Sequence, residues 1–234
     1  MTPNTDIVIS SRITREFPAE GDLQLCVDTL IQHTKNYRVI FVDDNSDEQG
    51  ARFIEAQAAR LSNSLLLRTH FQRWFTRAYN LGFQLVRTPY VVSLNCDTVL
   101  DKDWLEELYS VRDDVEAKIG RVGLVGSHQS GEEPRRYALS IDKDYVTGHG
   151  VLFNVKALQE VANYRNTPGI YLDELRADAI HIRSDVFICW DMNRLGWQTV
   201  KSFKAAIGHS GAKCWGQQLG RIPCSIDVVN ERWI

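Results

Sequence analysis

No apolar run in this chain approaches the ~18 residues that a membrane-crossing helix needs. The N-terminus is interrupted early by Asp6 and does not read as a secretory leader. Cysteine is sparse and unpatterned: five residues, an odd number, with no C-x-x-C pair. That spacing excludes a disulfide framework and a thiolate zinc site, and all five are expected to be reduced thiols in a cytoplasmic protein. Glycine is missing where a phosphate loop would want it. After the first β-rich run, Ser10-Ser11-Arg12-Ile13-Thr14-Arg15 holds none, and the next is Gly21. This disfavours a nucleotidyltransferase, which would place a glycine-rich loop and a basic residue there. Neither sign of charge dominates: the net charge is −3 and the pI about 6.1, so there is no global attraction to nucleic acid or anionic lipid. The basic clusters Arg135-Arg136 and Lys201–Lys204 are too short to change that. No internal repeat or low-complexity linker is visible.

What is present fits one α/β domain. The 234 residues, 44% apolar, suffice for a single core. Strand-like runs at Asp6–Ser11, Tyr37–Val42, Ser64–Thr69, Tyr90–Leu94 and Val122–Ser127 alternate with helical patterns. The helices are expected at Asp22–Thr34 (Leu23, Val27, Leu30 and Ile31 inward), Ala51–Leu61, Trp74–Val86 (Phe75, Leu81 and Leu85 inward) and from Trp104 onward. Such βαβ alternation predicts a mainly parallel sheet flanked by helices. The second half is less regular, with a strand at Gly148–Asn154, helices at Val155–Asn163 and Ser184–Leu195, and a last strand at Ala205–His209. Gln129–Arg136 is the best loop candidate.

Two of these strands end in carboxylates. Tyr90–Leu94 runs into Asn95-Cys96-Asp97-Thr98, and Tyr37–Val42 runs into Asp43-Asp44-Asn45-Ser46. Ligand crevices in open α/β sheets lie outside the carboxyl ends of the strands. A carboxylate there can hold a hard divalent cation together with substrate phosphates. Each cluster has a plainer reading as well. Asp97 would cap the helix that starts near Lys102, and Asp43-Asp44 would cap the one near Gly50. Two clusters at two strand ends of one domain are better explained by a shared site.

The ordered set of phrases resembles a family 2-type glycosyltransferase with the GT-A fold. The matching pieces are Asp6–Ser11, Val42-Asp43-Asp44-Asn45-Ser46, Asn80-Leu81-Gly82 and Leu94-Asn95-Cys96-Asp97-Thr98 with Trp104–Leu108. They continue with Gly148-His149-Gly150, Asp185 and Gly208-His209, so the resemblance spans roughly residues 6–210. It implies one GT-A domain: a nucleotide-binding half over 1–127, an acceptor and catalytic half over 128–212, and a tail over 213–234 that is a candidate lid.

The resemblance implies an inverting transfer of a hexose or pentose from a UDP-, GDP- or dTDP-sugar to a hydroxyl acceptor. Asp44, with Asp43, Ser10, Asn95 and Arg77, would hold the nucleotide. Arg73 and Arg77, one helical turn apart, either reach the diphosphate or form a solvated face. Asp97 would hold Mg2+ or Mn2+, with His209 as second ligand; imidazole favours Mn2+. Asn95 stands where the family's Asp-x-Asp pattern has its first carboxylate and adds no charge. Asp185 is the candidate general base, although a carboxylate in a first helical turn also favours the helix dipole. Asp173 and Glu174 are the runner-up pair, expected to border the acceptor. Gly148, His149 and Gly150 are expected beside the donor sugar, where glycine allows close backbone approach. Trp74, Tyr79 and Phe83 read as core. The acceptor is left open between a glycan, a lipid-linked sugar, a protein and a modified nucleobase. Two other readings stand beside the transferase: a sugar-nucleotide nucleotidyltransferase, and a catalytically inactive binding module of the same fold. The joint presence of Asp44, Asp97, Asp185 and His209 argues against the second.

Overall fold

The computed structural model describes residues 4–127, 134–140, 146, 150–172, 184–205 and 207–209, with Ser184 and His209 described by their backbone alone. The first half alternates as its apolar pattern dictates. Strands β1 (Thr5–Ser11), β2 (Tyr37–Asp43), β3 (Ser64–Arg68) and β4 (Tyr90–Asn95) are separated by helices α1 (Glu20–His33), α2 (Glu48–Ala59) and α3 (Trp74–Phe83). A short strand β5 (Thr98–Leu100), helix α4 (Trp104–Lys118) and strand β6 (Val122–Ser127) follow. Beyond them come β7 (Tyr137–Leu139), β8 (Gly150–Asn154), α5 (Val155–Tyr164), α6 (Ser184–Arg194), β9 (Gln198–Ser202) and β10 (Ile207–His209).

The main sheet has the order β3-β2-β1-β4-β8-β6-β9-β7, and β5 and β10 form a separate ribbon. The four strands of the first half are parallel throughout, as is the β6/β9 pair. β8 runs antiparallel between β4 and β6, and β7 antiparallel on β9. Three strands were not legible from periodicity. β5 and β7 are three residues long, too short for an alternation to show, and β9 is the polar-looking Gln-Thr-Val-Lys-Ser.

Burial on both faces explains the apolar runs. Ile7, Ile9, Val39 and Phe41 pack with α1, α2 and α4 on one side, whereas Val8, Ile40 and Val42 pack with α3, α5 and α6 on the other. Each such side chain contributes about 1.5–3 kcal/mol on leaving water. Leu23, Val27 and Leu30 of α1 are buried as expected, but Ile31 is 43% exposed and lies off that stripe. On α3 the buried positions are Thr76, Ala78, Tyr79, Asn80, Gly82 and Phe83, with Phe75, Leu81 and Leu85 half-buried. Gly82 is where helix and sheet come closest: a Cβ there would lie 2.4 Å from Val8 Cγ1.

The N-terminal rim of the sheet is fastened by Asp6, 1% exposed. Arg38 forks onto it from β2 (Nε–Oδ1 2.7 Å, Nη2–Oδ2 2.8 Å), and the Arg87 amide donates to it at 2.6 Å. Burial alone would raise the Asp6 pKa; the Arg38 fork and the backbone donors outweigh it and hold the carboxyl below its usual 3.8. Removing one partner of a buried pair costs about 3–5 kcal/mol. Arg38→Met is therefore expected to lose stability on that scale. A depressed folded-state pKa stabilises above the unfolded value and stops doing so as pH falls through the folded one. The stability gap between wild type and Asp6→Asn should be full at neutral pH and close below about pH 4. Urea titrations across that range check this, and a pH-independent gap would refute it.

Candidate active site

The crevice arises from strand order. The chain leaves β1 for β2 and β3 on one side, then returns to β4 on the other. The onward connections of β1 and β4 therefore run toward opposite edges of the sheet, and open α/β sheets place a crevice at the strands' carboxyl ends beside such a reversal. Register aligns those ends: Ser10 faces Val42 and Asn95, and Ser11 faces Asp43. Ser10, Asp43 and Asn95 thus meet at one edge, with Asp44 one residue beyond.

The two adjacent aspartates have different surroundings. Asp43, 1% exposed, is built into the turn: Oδ1 accepts the Ser46 amide at 2.9 Å, and Arg68 Nε lies 3.3 Å from Oδ2. Asp44, 4% exposed, reaches across to α3. Its Oδ1 accepts the Arg73 amide at 2.5 Å and its Oδ2 the Trp74 amide at 2.8 Å. These are amides that the start of a helix leaves without intrahelical partners. Trp74 has φ +67, a costly conformation for a bulky residue, and the Asp44 carboxylate holds its amide there. Burial pushes the Asp44 pKa up, against the pull of these amides, Thr69 and Arg12.

Asn95, Cys96 and Asp97 form the tight turn between β4 and β5. Thr98 Oγ1 donates to the Asn95 carbonyl at 2.7 Å and closes it. Tyr79, buried as expected, is more than filler: its hydroxyl donates to the Leu94 carbonyl at 2.8 Å and lies 3.3 Å from Asn95 Oδ1. Asp97 is half-buried. Burial pushes the neighbouring Cys26 thiol up to about 12, and the Asp97 charge adds a smaller push the same way. The ribbon brings in the chain's far end, because β10 pairs antiparallel with β5 and sets His209 opposite Thr98. Residues more than a hundred positions apart thus become neighbours at the backbone.

Arginines line the same edge. Arg73 and Arg77 border a shallow cavity of about 190 Å³ with Asn80, Leu81 and Gln84. The Arg73 guanidinium stacks 3.7 Å from the Phe71 ring. Among the described residues, Ser11 Oγ, Arg12 Nε and Arg73 Nε are buried without a hydrogen-bond partner. Orphaned buried donors are costly, and at a crevice they are ready partners for a polar ligand. A larger open groove of about 490 Å³, among Asn4, Asn36, Tyr37 and Asn63, lies at the opposite end of the strands and away from these residues.

Asp185 stands in the first turn of α6, half-buried. Burial raises its pKa to about 7, against the pull of its own amide and that of Val186. A carboxylate so tuned suits proton transfer near neutral pH. Gly148, His149, Asp173 and Glu174 lie outside the described residues, as does the tail 213–234. Gly150 is described, and its close neighbour is protein: a Cβ there would sit 2.7 Å from Ile207 Cδ1 of β10.

The residue whose importance the sequence hides is Asn80. It is 2% exposed on the apolar flank of α3. Its Oδ1 accepts the amides of Tyr171 and Leu172 at 3.0 and 2.8 Å, and its Nδ2 donates to the Leu172 carbonyl at 2.9 Å. The only signal available beforehand was an amide side chain among apolar neighbours, within the Asn80-Leu81-Gly82 phrase.

Residues 14–136, just over half of the chain, match the family described as glycosyl transferase family 2. Glycosyltransferase GlyG of Streptococcus pneumoniae serotype 4 is 22% identical over 139 residues, which are 59% of this chain and 44% of that protein. The mannosyltransferase PcManGT of Pyrobaculum calidifontis, solved with GDP-Man and Mn2+, superposes with a TM-score of 0.66 at 13% identity, over 91% of this chain and 58% of its own. TarS residues 1–349 of S. aureus superpose with a TM-score of 0.60 at 11% identity, over 88% of this chain and 59% of theirs. The shared architecture is the GT-A fold. This chain spans less than half of the curated relative and under two thirds of either solved chain.

The Asp44 geometry carries a stability consequence separate from any ligand. Asp44→Ala leaves the Arg73 and Trp74 amides without their acceptor, at a cost of about 1–3 kcal/mol. Asp44→Asn keeps one oxygen acceptor and should lose less. Denaturant midpoints, with hydrogen exchange at the two amides, check this; an unchanged Asp44→Ala midpoint would remove Asp44 as the anchor of α3.

Proposed function

The chain belongs to glycosyl transferase family 2, and on that premise we propose that it moves a sugar from a nucleotide-diphosphate donor to an acceptor hydroxyl, with inversion and with the help of a divalent cation. One observation carries the reading. Asp44 beyond β2, the Asn95–Asp97 turn after β4 and His209 on β10 gather at one edge of the sheet, where the strand order opens a crevice. PcManGT, with its GDP-Man and Mn2+, supports a nucleotide-sugar and a divalent cation as ligands of this edge.

The nucleotide lies against Ser10, Asp44 and Asn95, with Asp43 bracing the turn from beneath. Ser11 Oγ and the Nε groups of Arg12 and Arg73 supply donors that have no partner among the described residues. Arg77, exposed at the cavity rim, adds positive charge. Asp97 and His209 would hold a cation of the Mg2+ or Mn2+ kind. A single carboxylate suffices when substrate phosphates and water complete the oxygen set, and the imidazole tilts the choice toward Mn2+. When bound, that cation neutralises the charge on the departing diphosphate.

Asp185 takes the proton of the acceptor hydroxyl as its oxygen attacks the anomeric carbon. The bond from that carbon to the diphosphate oxygen breaks on the opposite face, and its electron pair leaves with the nucleoside diphosphate. The new bond therefore has the inverted configuration. Asp173 and Glu174 border the acceptor, and Gly148 and His149 the donor sugar.

Two experiments test these roles. Asp97→Asn should abolish metal-dependent binding of nucleoside diphosphates while the fold persists; undiminished binding in a calorimetric titration with Mn2+ would sink the metal assignment. Asp185→Asn should bind donor normally and turn over about 10²–10⁴-fold more slowly. Because the carboxyl is raised to about 7, wild-type kcat/KM should rise with pH as that group loses its proton, and the variant should lack this limb. A persistent limb, or near-normal turnover in the variant, would pass the base role to Asp173 or Glu174.

A further inference from the structure

We infer that Asn80 is a positioning residue for the transfer step: by holding the Tyr171–Leu172 peptide it sets the place of α6, and so of Asp185, relative to the crevice edge. The inference rests on the reading of Asp185 as base.

The hydrogen-bond inventory of Asn80 is nearly filled by a single peptide segment. A carboxamide has two acceptor sites and two N–H donors. Both acceptor sites and one donor go to the backbone of Tyr171 and Leu172, some 91–92 residues away. Packing alone does not ask for this, because Ala78, Tyr79 and Phe83 already make the flank apolar. A carboxylate of the same shape would set charge against the Leu172 carbonyl, and an apolar side chain would strand three buried backbone groups. Gln84 repeats the attachment one turn on, donating to the Gly169 carbonyl at 3.2 Å.

The contact continues to α6 through charged groups. Arg165 Nη1 donates to the Tyr171 carbonyl at 3.0 Å, its Nε to Asp191 at 2.7 Å and its Nη2 to the Phe187 carbonyl at 3.4 Å. Arg165 and Asp191 are 8% and 1% exposed, so shifting either would leave a buried charge unpaired. That makes the link stiff. At its other end α3 hangs from Asp44 by its first amides. A helix of this length spans about 15 Å. One rigid strut thus joins the edge that takes the nucleotide to the helix that carries the base.

The electrostatic setting of Asp185 makes this readable. On the elements packed against α6, Glu160 of α5 is engaged by Arg121 and Trp197 Nε1. Arg165 is engaged by Asp191, which Arg194 also approaches at 4.0 Å, and Lys201 lies on β9. Burial, rather than any of these charges, holds Asp185 high. Loosening α6 admits water and lowers it.

The test compares Asn80→Ala and Asn80→Asp with wild type, and with Val27→Ala as a buried truncation on the other face of the sheet. Expected is a kcat loss of about a hundredfold, the scale of an ångström of misplacement, with donor KM changed by less than about threefold. NMR titration of the Asp185 carboxyl, followed in the intact chain, should move down from about 7 in both Asn80 variants. Val27→Ala should lose stability and change neither readout. Asn80 variants that lose stability only, with kcat and the Asp185 titration unchanged, would overturn the inference. If wild type turns over no sugar donor, the base reading fails, and the titration still decides whether Asn80 places Asp185.

Discussion

Parallel pairing on both flanks of β1 is the constraint on which the crevice depends. Hydrogen bonding to β2 and β4 in the same direction brings three carboxyl ends to one edge. An antiparallel neighbour on either side would send Asp44 or Asn95 to the far rim. The apolar runs of β1, β2 and β4 secure this arrangement, because residues buried on both faces cannot slip register without exposing core. The polar residues at the strand ends are positioned by a decision made in the core beneath them.

Helix α3 then turns a row of strand ends into a site. Beyond the apolar flank of Ala78, Tyr79 and Phe83, polar groups hold it at both ends. Asp44 takes its first amides, and Asn80 takes the backbone of a segment from the other half. In the low-dielectric interior such bonds matter less for their net favourable energy than for the penalty of breaking them. The strained backbone at Trp74 persists because Asp44 over-determines it. A ligand that engages Asp44 meets a carboxylate already under contract to the helix, so occupancy of the edge and the seating of α3 are linked by a shared acceptor.

Legibility followed element length and repetition. The first half was readable because each βα unit supplies a long apolar run and a helix of ten or more residues. β5 and β7, three residues each, carry no period that a sequence can show, although β5 is what sets His209 opposite Thr98. Ile31 was assigned to the buried stripe of α1 because it is apolar at a near-helical spacing; it is exposed because the stripe turns away from it. Gly150 was legible as a close approach, but whether ligand or protein approached was not.

The sequence by itself determined the α/β class and the parallel first half, and its resemblance to a glycosyltransferase family offered Asp44, Asp97, Asp185 and His209 as site candidates. The class and the parallel half follow from local apolar patterning, which is written in consecutive residues; the site candidates follow from the resemblance. Tertiary structure decided what each carboxylate touches. Asp43 and Asp44 are neighbours in sequence, yet one is locked into its own turn and the other reaches α3, because successive side chains at a strand end point to opposite faces. The rise of the Asp185 pKa comes from burial, which no first helical turn predicts. Asn80 finds its partners more than ninety residues away. Hydrogen bonding and desolvation act through space, so their outcomes exist only once the fold has chosen the neighbours.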